Sequence, residues 1–521
     1  MSQMLKSSGA MGAATLTSRV LGMVREIVYA RFMGDGWVAG AFQLAFTIPN
    51  LFRRLLGEGA LTAAFIPLFK AKEKTAGETE MWRAANAVIS GLIVAAAVVV
   101  ALVLVGVSLA LGVHQFSAQT DLMLRLLRVM FPYMLLVCLA AVFMGMLNAR
   151  GHFFIPAMGA TMLNVVMIAS VLWLTPFFGG TLETKIFALA VGVLAAGVAQ
   201  AAFQLPVLRR EGFRYHWVSP GCDETVRQVV RQMIPGAIGV AAFQINVLLT
   251  QGLAFWLDTP GAPIVAPFNY AVRLMELPQG VFGISLATYL LPTLAGLAAE
   301  KKYPDFRATL GQGLGHLIFV NALASVLLAV LAEPIVRLLF ERGEFTADST
   351  SRAALALACL APGLVAFSMV NILARAFYAL GDTQTPMRIS LVCLALNLVF
   401  ALWLISPLRQ GGLGIANSLS AVFNVGLLLY ALRRKLQVLE LAALRQKLPR
   451  ILAATLLAGM AAWWLASGWE RGIGHGGLWQ KIGAVFAPGA AAALLYAGLA
   501  LWLQVPQAKE IAGLLRQKFR R

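Results

Sequence analysis

Charged residues are scarce in this sequence, and acidic residues are the scarcer kind. Only 12% of the 521 residues are charged and 60% are hydrophobic, whereas about a quarter of a soluble globular chain is charged. The 23 acidic residues stand against 42 lysines and arginines, which gives a formal net charge of +19. This composition excludes an ordinary soluble domain and predicts a chain that lies largely within a lipid bilayer.

Cysteine and histidine are also rare, and neither has the spacing of a disulfide framework or a metal site. The four cysteines include no CxxC pair, and the five histidines are scattered along the chain. The sequence has no P-loop, and it brings no nucleophile together with a general base and an orienting group. We therefore predict that the protein is not an enzyme and that it holds no metal or organic cofactor.

Long apolar segments are abundant. Segments such as 93–113, 157–178 and 186–207 have the length of about 20 residues that a helix needs to cross a bilayer. The alternating pattern of a membrane β-barrel is absent. We predict an all-α polytopic membrane protein with fourteen transmembrane helices. These spans are 8–33, 36–67, 84–113, 124–148, 154–178, 185–207, 227–257, 265–298, 308–338, 350–379, 386–406, 412–432, 449–468 and 479–504.

Basic residues collect in alternate loops between these spans. Arg209, Arg210, Arg433 and Arg434 lie in two such loops, and the C-terminal tail is also basic. By the positive-inside rule these loops are cytoplasmic, which predicts a multi-pass membrane protein with both termini in the cytoplasm. The positive charge then reflects topology and attraction to anionic membrane lipids, so we predict no nucleic-acid partner.

Two short echoes indicate an internal repeat. LNARGHFFIP (Leu147–Pro156) and FYALGDTQTP (Phe377–Pro386) place glycine and proline alike at an offset of 230 residues. TIPNLF (Thr47–Phe52) and ELPQGVF (Glu276–Phe282) each carry a proline that should kink a helix. These echoes predict two lobes of six helices and an appended helix pair with a basic tail. The predicted domains are 1–210, 211–440 and 441–521.

Charge inside the spans is concentrated in the opening helices of the two lobes. It comprises Arg19, Arg25, Glu26, Arg53, Arg54, Glu58, Arg273 and Glu276. An ionisable residue within a span is costly and marks a pathway or a site. Several arginines with fewer acids predict a cationic cavity that suits phosphate oxygens. The alternative, that an individual arginine such as Arg25 snorkels or forms a structural ion pair, stays open.

Four segments together carry a family resemblance. They are SRVLGMVRE (Ser18–Glu26), PNLFRRLLGEGALTAAFIP (Pro49–Pro67), YAVRLMELPQGVFG (Tyr270–Gly283) and FYALGDTQTP. The chain resembles the MurJ (MviN) lipid II flippases of the multidrug/oligosaccharidyl-lipid/polysaccharide (MOP) exporter superfamily. The resemblance implies a V-shaped arrangement of two six-helix lobes plus two C-terminal helices. It also implies alternating access that flips lipid II, an undecaprenyl-diphosphate-linked peptidoglycan precursor, from the cytoplasmic to the periplasmic leaflet.

The same resemblance implies roles for individual residues. Substrate binding falls on Arg19, Arg25, Arg53 and Arg273 with the acidic partners Glu26 and Glu276, and a gate falls on Glu58 and Arg352. The chain departs from the family pattern at Gly40 and Val272, where the family usually has an acid. Both departures make the site more positive and place in doubt any mechanism that needs a carboxylate there.

Other readings remain open at this point. A flippase for an O-antigen or capsule lipid-linked oligosaccharide would also need a basic cavity, whereas a drug/cation antiporter needs acids that face its solute. The excess of arginine argues against the antiporter. Asp382 is a candidate cation ligand, although the Asp-Thr sequence before a helix favours a cap. The driving force, an ion gradient or the membrane potential, is not legible in the sequence.

Overall fold

The computed structural model describes residues 2–53, 61–221, 223–259, 261–439 and 442–519. Helices are the regular structure throughout these ranges, which contain no β-strand and one isolated β-bridge between Thr259 and Ala262. Within the same ranges nine helices are long and apolar enough to cross a membrane, or ten if one bent pair counts as a single span. The prediction of an all-α polytopic membrane protein is confirmed.

The helices, numbered in chain order, have the following bounds. They are α1 Ser2–Met33, α2 Trp37–Phe52, α3 Leu61–Val113, α4 Ala118–Met130, α5 Tyr133–Ala149, α6 Phe154–Ala169, α7 Leu182–Arg210, α8 Glu224–Trp256, α9 Val265–Pro278, α10 Ser285–Ala299, α11 Tyr303–Val330, α12 Ala332–Phe340, α13 Ala347–Leu360, α14 Leu364–Ala379, α15 Gln384–Leu436, α16 Ala442–Gly472, α17 Leu478–Trp502 and α18 Pro506–Phe519. A π-helix at Gln279–Ile284 joins α9 to α10.

The fourteen predicted spans each coincide with helix in the described part of the chain. The two longest helices are interrupted, and both interruptions fall between predicted spans. Gly77 breaks α3 with φ 85°, a conformation that glycine adopts without steric cost. Arg409 breaks α15 with φ 49° two residues after Pro407. Each long helix therefore contains parts of two spans, and α2 together with the first part of α3 covers the predicted second span.

The chain divides into two compact units, Met1–Ala266 and Pro267–Arg521. In the first unit α1 packs on α6, α2 on α4, and α3 on both α5 and α8. In the second unit α14 packs on α11 and α15, while α16 packs on α11 and α17. The lobe boundaries after residues 210 and 440 remain predictions.

Small side chains mediate the packing of the last two long helices. Ala454, Ala458 and Ala462 recur at intervals of four along α16, and Ala492 and Ala500 of α17 join the same buried cluster. Small residues allow membrane helices to approach closely enough for extensive van der Waals contact. The terminal helix pair is thereby held against α11 of the second unit, as the packing of α16 on α11 indicates.

Candidate functional site

Arg25 and Glu26 form an ion pair in the C-terminal part of α1. Nη2 of Arg25 lies 2.5 Å from Oε1 of Glu26, and the side chains are only 12% and 9% exposed. Nη1 of Arg25 donates to Oδ1 of Asn164 on α6 at 3.0 Å, and Asn164 in turn donates to the carbonyl of Ser18. The guanidinium also lies over the ring of Tyr29. These contacts orient Arg25 by the α1–α6 packing and supply the structural partners that sequence reasoning left open.

Arg19 and Arg53 lie on α1 and at the end of α2, respectively. Arg19 is partly buried on α1 and makes no hydrogen bond or ion pair with any residue that the structure describes. Arg53 caps the C-terminus of α2, and its Nε donates to Oδ1 of Asn50 at 2.9 Å. Residues 54–60, which include Arg54, lie outside the described ranges. Both arginines thus remain on the helices where the sequence analysis placed them.

Arg273 and Glu276 form the pair expected from their spacing on α9. Nη1 of Arg273 lies 2.8 Å from Oε2 of Glu276, and these side chains are 40% and 45% exposed. The π-helix Gln279–Ile284 follows directly, where π-turns are typical of functional bends. Gly283 in this turn packs closely against Ser368 of α14, and a methyl group at Gly283 would lie 2.7 Å from its hydroxyl oxygen.

The predicted gate is described on one side only. Arg352 lies on α13, where its Nη2 donates to the hydroxyl of Ser349 at 3.4 Å and its carbonyl accepts from Nε2 of Gln410. Its predicted partner Glu58 lies outside the described residues. The pairing of Glu58 with Arg352 therefore stays a prediction.

Asp382 lies in the turn before α15 and acts as a cap. Its Oδ1 accepts the backbone N–H of Thr385 at 3.0 Å, and its Oδ2 accepts from the Thr385 hydroxyl and from Nζ of Lys435. The hydrogen bond from Lys435, together with those from Thr385, lowers the pKa of Asp382 to about 2. Among the described residues, no group of three or more His, Cys, Asp or Glu side chains is arranged to hold a metal ion.

Val272 and Gly40, where the resemblance led us to expect an acid, have different surroundings. Val272 packs against a buried cluster of Met275, Leu360 and Leu364, where a carboxylate would be desolvated. Gly40 is buried in α2. A methyl group built on Gly40 would lie 2.9 Å from a carboxylate oxygen, because Asp258 occupies that space.

Two charged residues that were not predicted as functional from the sequence lie among apolar helices. Asp258, which follows α8, is only 6% exposed. Arg375 on α14 donates from Nη1 to the carbonyl of Ile284 at 3.1 Å and to the hydroxyl of Thr288 at 2.7 Å, so it holds the end of the π-helix. Arg375 could have been identified as a charged residue within a predicted span. Asp258 lies between predicted spans, where an acidic residue is ordinary and does not indicate a site.

Comparison with known proteins supplies the family. The profile described as "Lipid II flippase MurJ" matches residues 29–479. The "Probable lipid II flippase MurJ" of Rhizobium tropici is 33% identical over 472 residues, covering 89% of this chain and 87% of the relative. The "Lipid II flippase MurJ" of Burkholderia cenocepacia is 31% identical, covering 86% and 88% of the two chains.

Solved structures share the fold. A structure described as "Lipid II flippase MurJ, inward closed conformation" aligns with a TM-score of 0.79 at 20% identity, covering 95% of this chain and 98% of that one. An inward-facing multidrug resistance transporter of the MATE family and MOP superfamily aligns with a TM-score of 0.64 at 15% identity, covering 84% and 99%. The two-lobe fold predicted for this chain is thus the fold of these transporters.

Proposed function

We propose that this chain, which belongs to the lipid II flippase MurJ family, moves lipid II from the cytoplasmic to the periplasmic leaflet of the bacterial inner membrane. Its substrate is then an undecaprenyl-diphosphate-linked saccharide, and its other partners are membrane lipids. The protein is a transporter that changes the position of its substrate and not its covalent structure. Both termini lie in the cytoplasm, and net transport is driven by the membrane potential or an ion gradient.

One observation carries the proposal beyond family membership. The ion pair of Arg273 and Glu276 lies on a helix of Val265–Ala299 that is apolar enough to span a membrane, yet both side chains are at least 40% exposed. Charges exposed to hydrocarbon would cost several kcal/mol, roughly 3 kcal/mol for an arginine on insertion scales. The pair therefore favours a water-filled cavity beside this helix, as an anionic headgroup would require.

The arginines divide into two roles in this proposal. Arg19, Arg53 and Arg273 bind the diphosphate oxygens, which guanidinium groups contact in a bidentate manner without any change of protonation. Arg25 and Glu26, tied to each other and to Asn164, position α1. A ligand shifts a conformational equilibrium only through unequal affinity for the two states, so the arginines hold the headgroup more strongly when the cavity opens to the cytoplasm.

Release completes the cycle. Glu276 accepts a hydrogen bond from Arg273, so it orients that guanidinium and competes with the phosphate oxygens as the substrate leaves. Glu58 and Arg352 pair at the periplasmic side and close the cavity there until substrate movement separates them. The two lobes, 1–210 and 211–440, expose the cavity alternately to the cytoplasmic and the periplasmic side. The segment 441–521 shelters the lipid tail.

Complementation tests the proposal. Cells depleted of their own lipid II flippase should grow when they express this chain, and alanine at Arg19, Arg53 or Arg273 should abolish growth and substrate crosslinking at unchanged protein level. Lysine at these positions should retain part of the function, because it keeps the charge and loses the planar fork. Arg209→Ala is the matched control, since Arg209 is exposed at the end of α7. Rescue of an O-antigen or capsule defect, without rescue of lipid II transport, would reassign the substrate.

A further inference from the structure

Asp258 is a buried acidic residue that none of the proposed roles uses. It follows the C-terminus of α8 and is 6% exposed. Removing an ionised carboxylate from water costs several kcal/mol unless hydrogen bonds or opposite charges compensate it. A buried aspartate at the end of a membrane helix therefore depends on the contacts that its carboxylate makes.

The two oxygens of this carboxylate have different partners. Oδ1 accepts the backbone N–H of Ile264 at 2.7 Å, which closes the loop between α8 and α9. Oδ2 lies 3.4 Å from Nε2 of Gln119, in the first turn of α4. Closing a loop of this kind requires one oxygen and no charge. The second oxygen lies against α4 and α2, so the carboxylate contacts these helices as well as the loop.

Gly40 of α2 provides the space for that second oxygen. A methyl group built on Gly40 would lie 2.9 Å from Oδ2 of Asp258 and 3.5 Å from Cβ of Val265. Glycine inside a helix costs about 1 kcal/mol relative to alanine. Here the absence of a side chain lets the carboxylate approach the helix backbone, at the place where a side chain of residue 40 would begin.

We infer that Asp258 is a positioning residue of the transport cycle, and that its carboxylate serves α2 as an acidic side chain at position 40 would. The carboxylate reaches α2 from the end of α8 and meets the start of α4, so it fixes the ends of three helices around one negative charge. Position 40 has no side chain of its own, and the space that one would enter contains the carboxylate of Asp258. This inference rests on the proposed flippase function.

Moving the carboxylate from one helix to the other tests the inference. Asp258→Asn keeps an oxygen for the N–H of Ile264 and removes the charge. The folded yield should therefore stay normal, while the rate at which the variant restores growth of flippase-depleted cells falls about tenfold or more. Asp258→Ala should lower this rate at least as far. Gly40→Asp alone should also impair rescue, because two carboxylates would share one space. The double variant Gly40→Asp with Asp258→Ala should recover to within about threefold of the wild type.

The matched control is Gly40→Asn in the Asp258→Ala background, which fills the same space without a charge and should not recover. Folded yield is measured by size-exclusion chromatography of each variant in detergent. Normal rescue by Asp258→Asn, or equal rescue by the aspartate and asparagine double variants, would overturn the inference. Failure of the wild-type chain to rescue would instead refute the flippase function, which separates the two claims.

Discussion

The turn between α5 and α6 in the first unit and the turn between α14 and α15 in the second can be compared residue by residue at an offset of 230. Gly151 has φ 88° and Gly381 has φ 73°, so both turns use the left-handed conformation that favours glycine. Pro156 and Pro386 follow near the start of the next helix. The backbone of the two turns is therefore alike.

The charges on these two turns have opposite signs. In the first unit Arg150 contacts Glu211 at 2.8 Å, and the ring of His152 contacts the other oxygen of the same carboxylate at 2.9 Å. In the second unit the turn supplies the acid, Asp382, and Lys435 supplies the cation at 2.7 Å. Glu211 follows the last residue of α7, and Lys435 lies in the last turn of α15, so each is at the C-terminal end of a helix. Each turn thus forms an ion pair with a residue at the C-terminal end of a helix. The turn supplies the cation in the first unit and the acid in the second.

The first turn is also tied more extensively than the second. Nη1 of Arg150 contacts Glu73 at 2.5 Å and Glu78 at 3.0 Å, and these acids flank the break in α3 at Gly77. Asp382 has one cationic partner and one capped N–H. The partners of Arg150 lie on both sides of the break in α3 and at the end of α7, whereas the partners of Asp382 lie at the two ends of α15. The first turn should therefore be the more sensitive to mutation.

The largest effect is expected from Arg150→Ala. The change leaves three carboxylates without their shared cation, and Arg150 is only 19% exposed, so we expect a loss of about 3 kcal/mol in unfolding free energy. Thermal unfolding of the purified protein in detergent measures the loss. Arg209→Ala, at an exposed arginine outside these ion pairs, should change stability by less than about 0.5 kcal/mol. Equal effects of the two substitutions would contradict the convergence on Arg150.

A smaller effect is expected from Asp382→Ala, which removes both the ion pair with Lys435 and the cap on Thr385. The expected loss is about 2 kcal/mol, whereas Lys435→Ala should cost only about 0.5 to 1 kcal/mol because the cap remains. Asp382→Asn keeps an acceptor for Thr385 and should resemble Lys435→Ala. If Lys435→Ala were as damaging as Asp382→Ala, the cap would contribute nothing.

Backbone elements were largely predictable from the sequence because their signals are local. Apolar length predicted membrane-spanning helices where the structure has helix, and glycine with proline marked both turns at their common offset. The breaks at Gly77 and Arg409 fall in loops that charge and proline already indicated. The π-helix after Pro278 was predicted only as a kink, and the hydrogen bond that its last carbonyl accepts from Arg375 of α14 was not predicted.

Side-chain partners were predictable only when they lay on one helix. Arg273 and Glu276 are three residues apart, and their pairing follows from helical geometry. The contact of Arg25 with Asn164 depends on the packing of α1 on α6, which apolar patterns do not specify. Asp258 is similar, because its close approach to α2 requires the missing side chain of Gly40, far away in the sequence.

The common backbone of the two turns predicts matched effects for Gly151→Ala and Gly381→Ala. Each substitution forces a residue with a Cβ atom into the left-handed region, which costs about 1 kcal/mol or slightly more. Nothing lies within 4 Å of a methyl group built on either glycine, so crowding adds no further cost. Thermal unfolding should therefore show similar losses in both variants, and Gly498→Ala, in a helix and equally open, should show none. A loss of stability in only one of the two variants would contradict a common backbone conformation in the two turns.

The smallest effect concerns pH and the charge of the second turn. The pKa of Asp382 is lowered from 3.8 to about 2, first by the hydrogen bond from Lys435. A carboxyl with a depressed pKa stabilises the fold fully above its unfolded value, and this contribution is lost as the pH falls through the folded value. The stability difference between the wild type and Asp382→Asn should therefore be constant between about pH 7 and 5 and shrink between about pH 4 and 2. Hydrogen bonds from His152 and Arg150 also lower the pKa of Glu211, so the first turn should hold its carboxylate contribution over the same neutral range. A difference at Asp382 that already declined above pH 5 would show that Lys435 does not hold this carboxylate in its charged form.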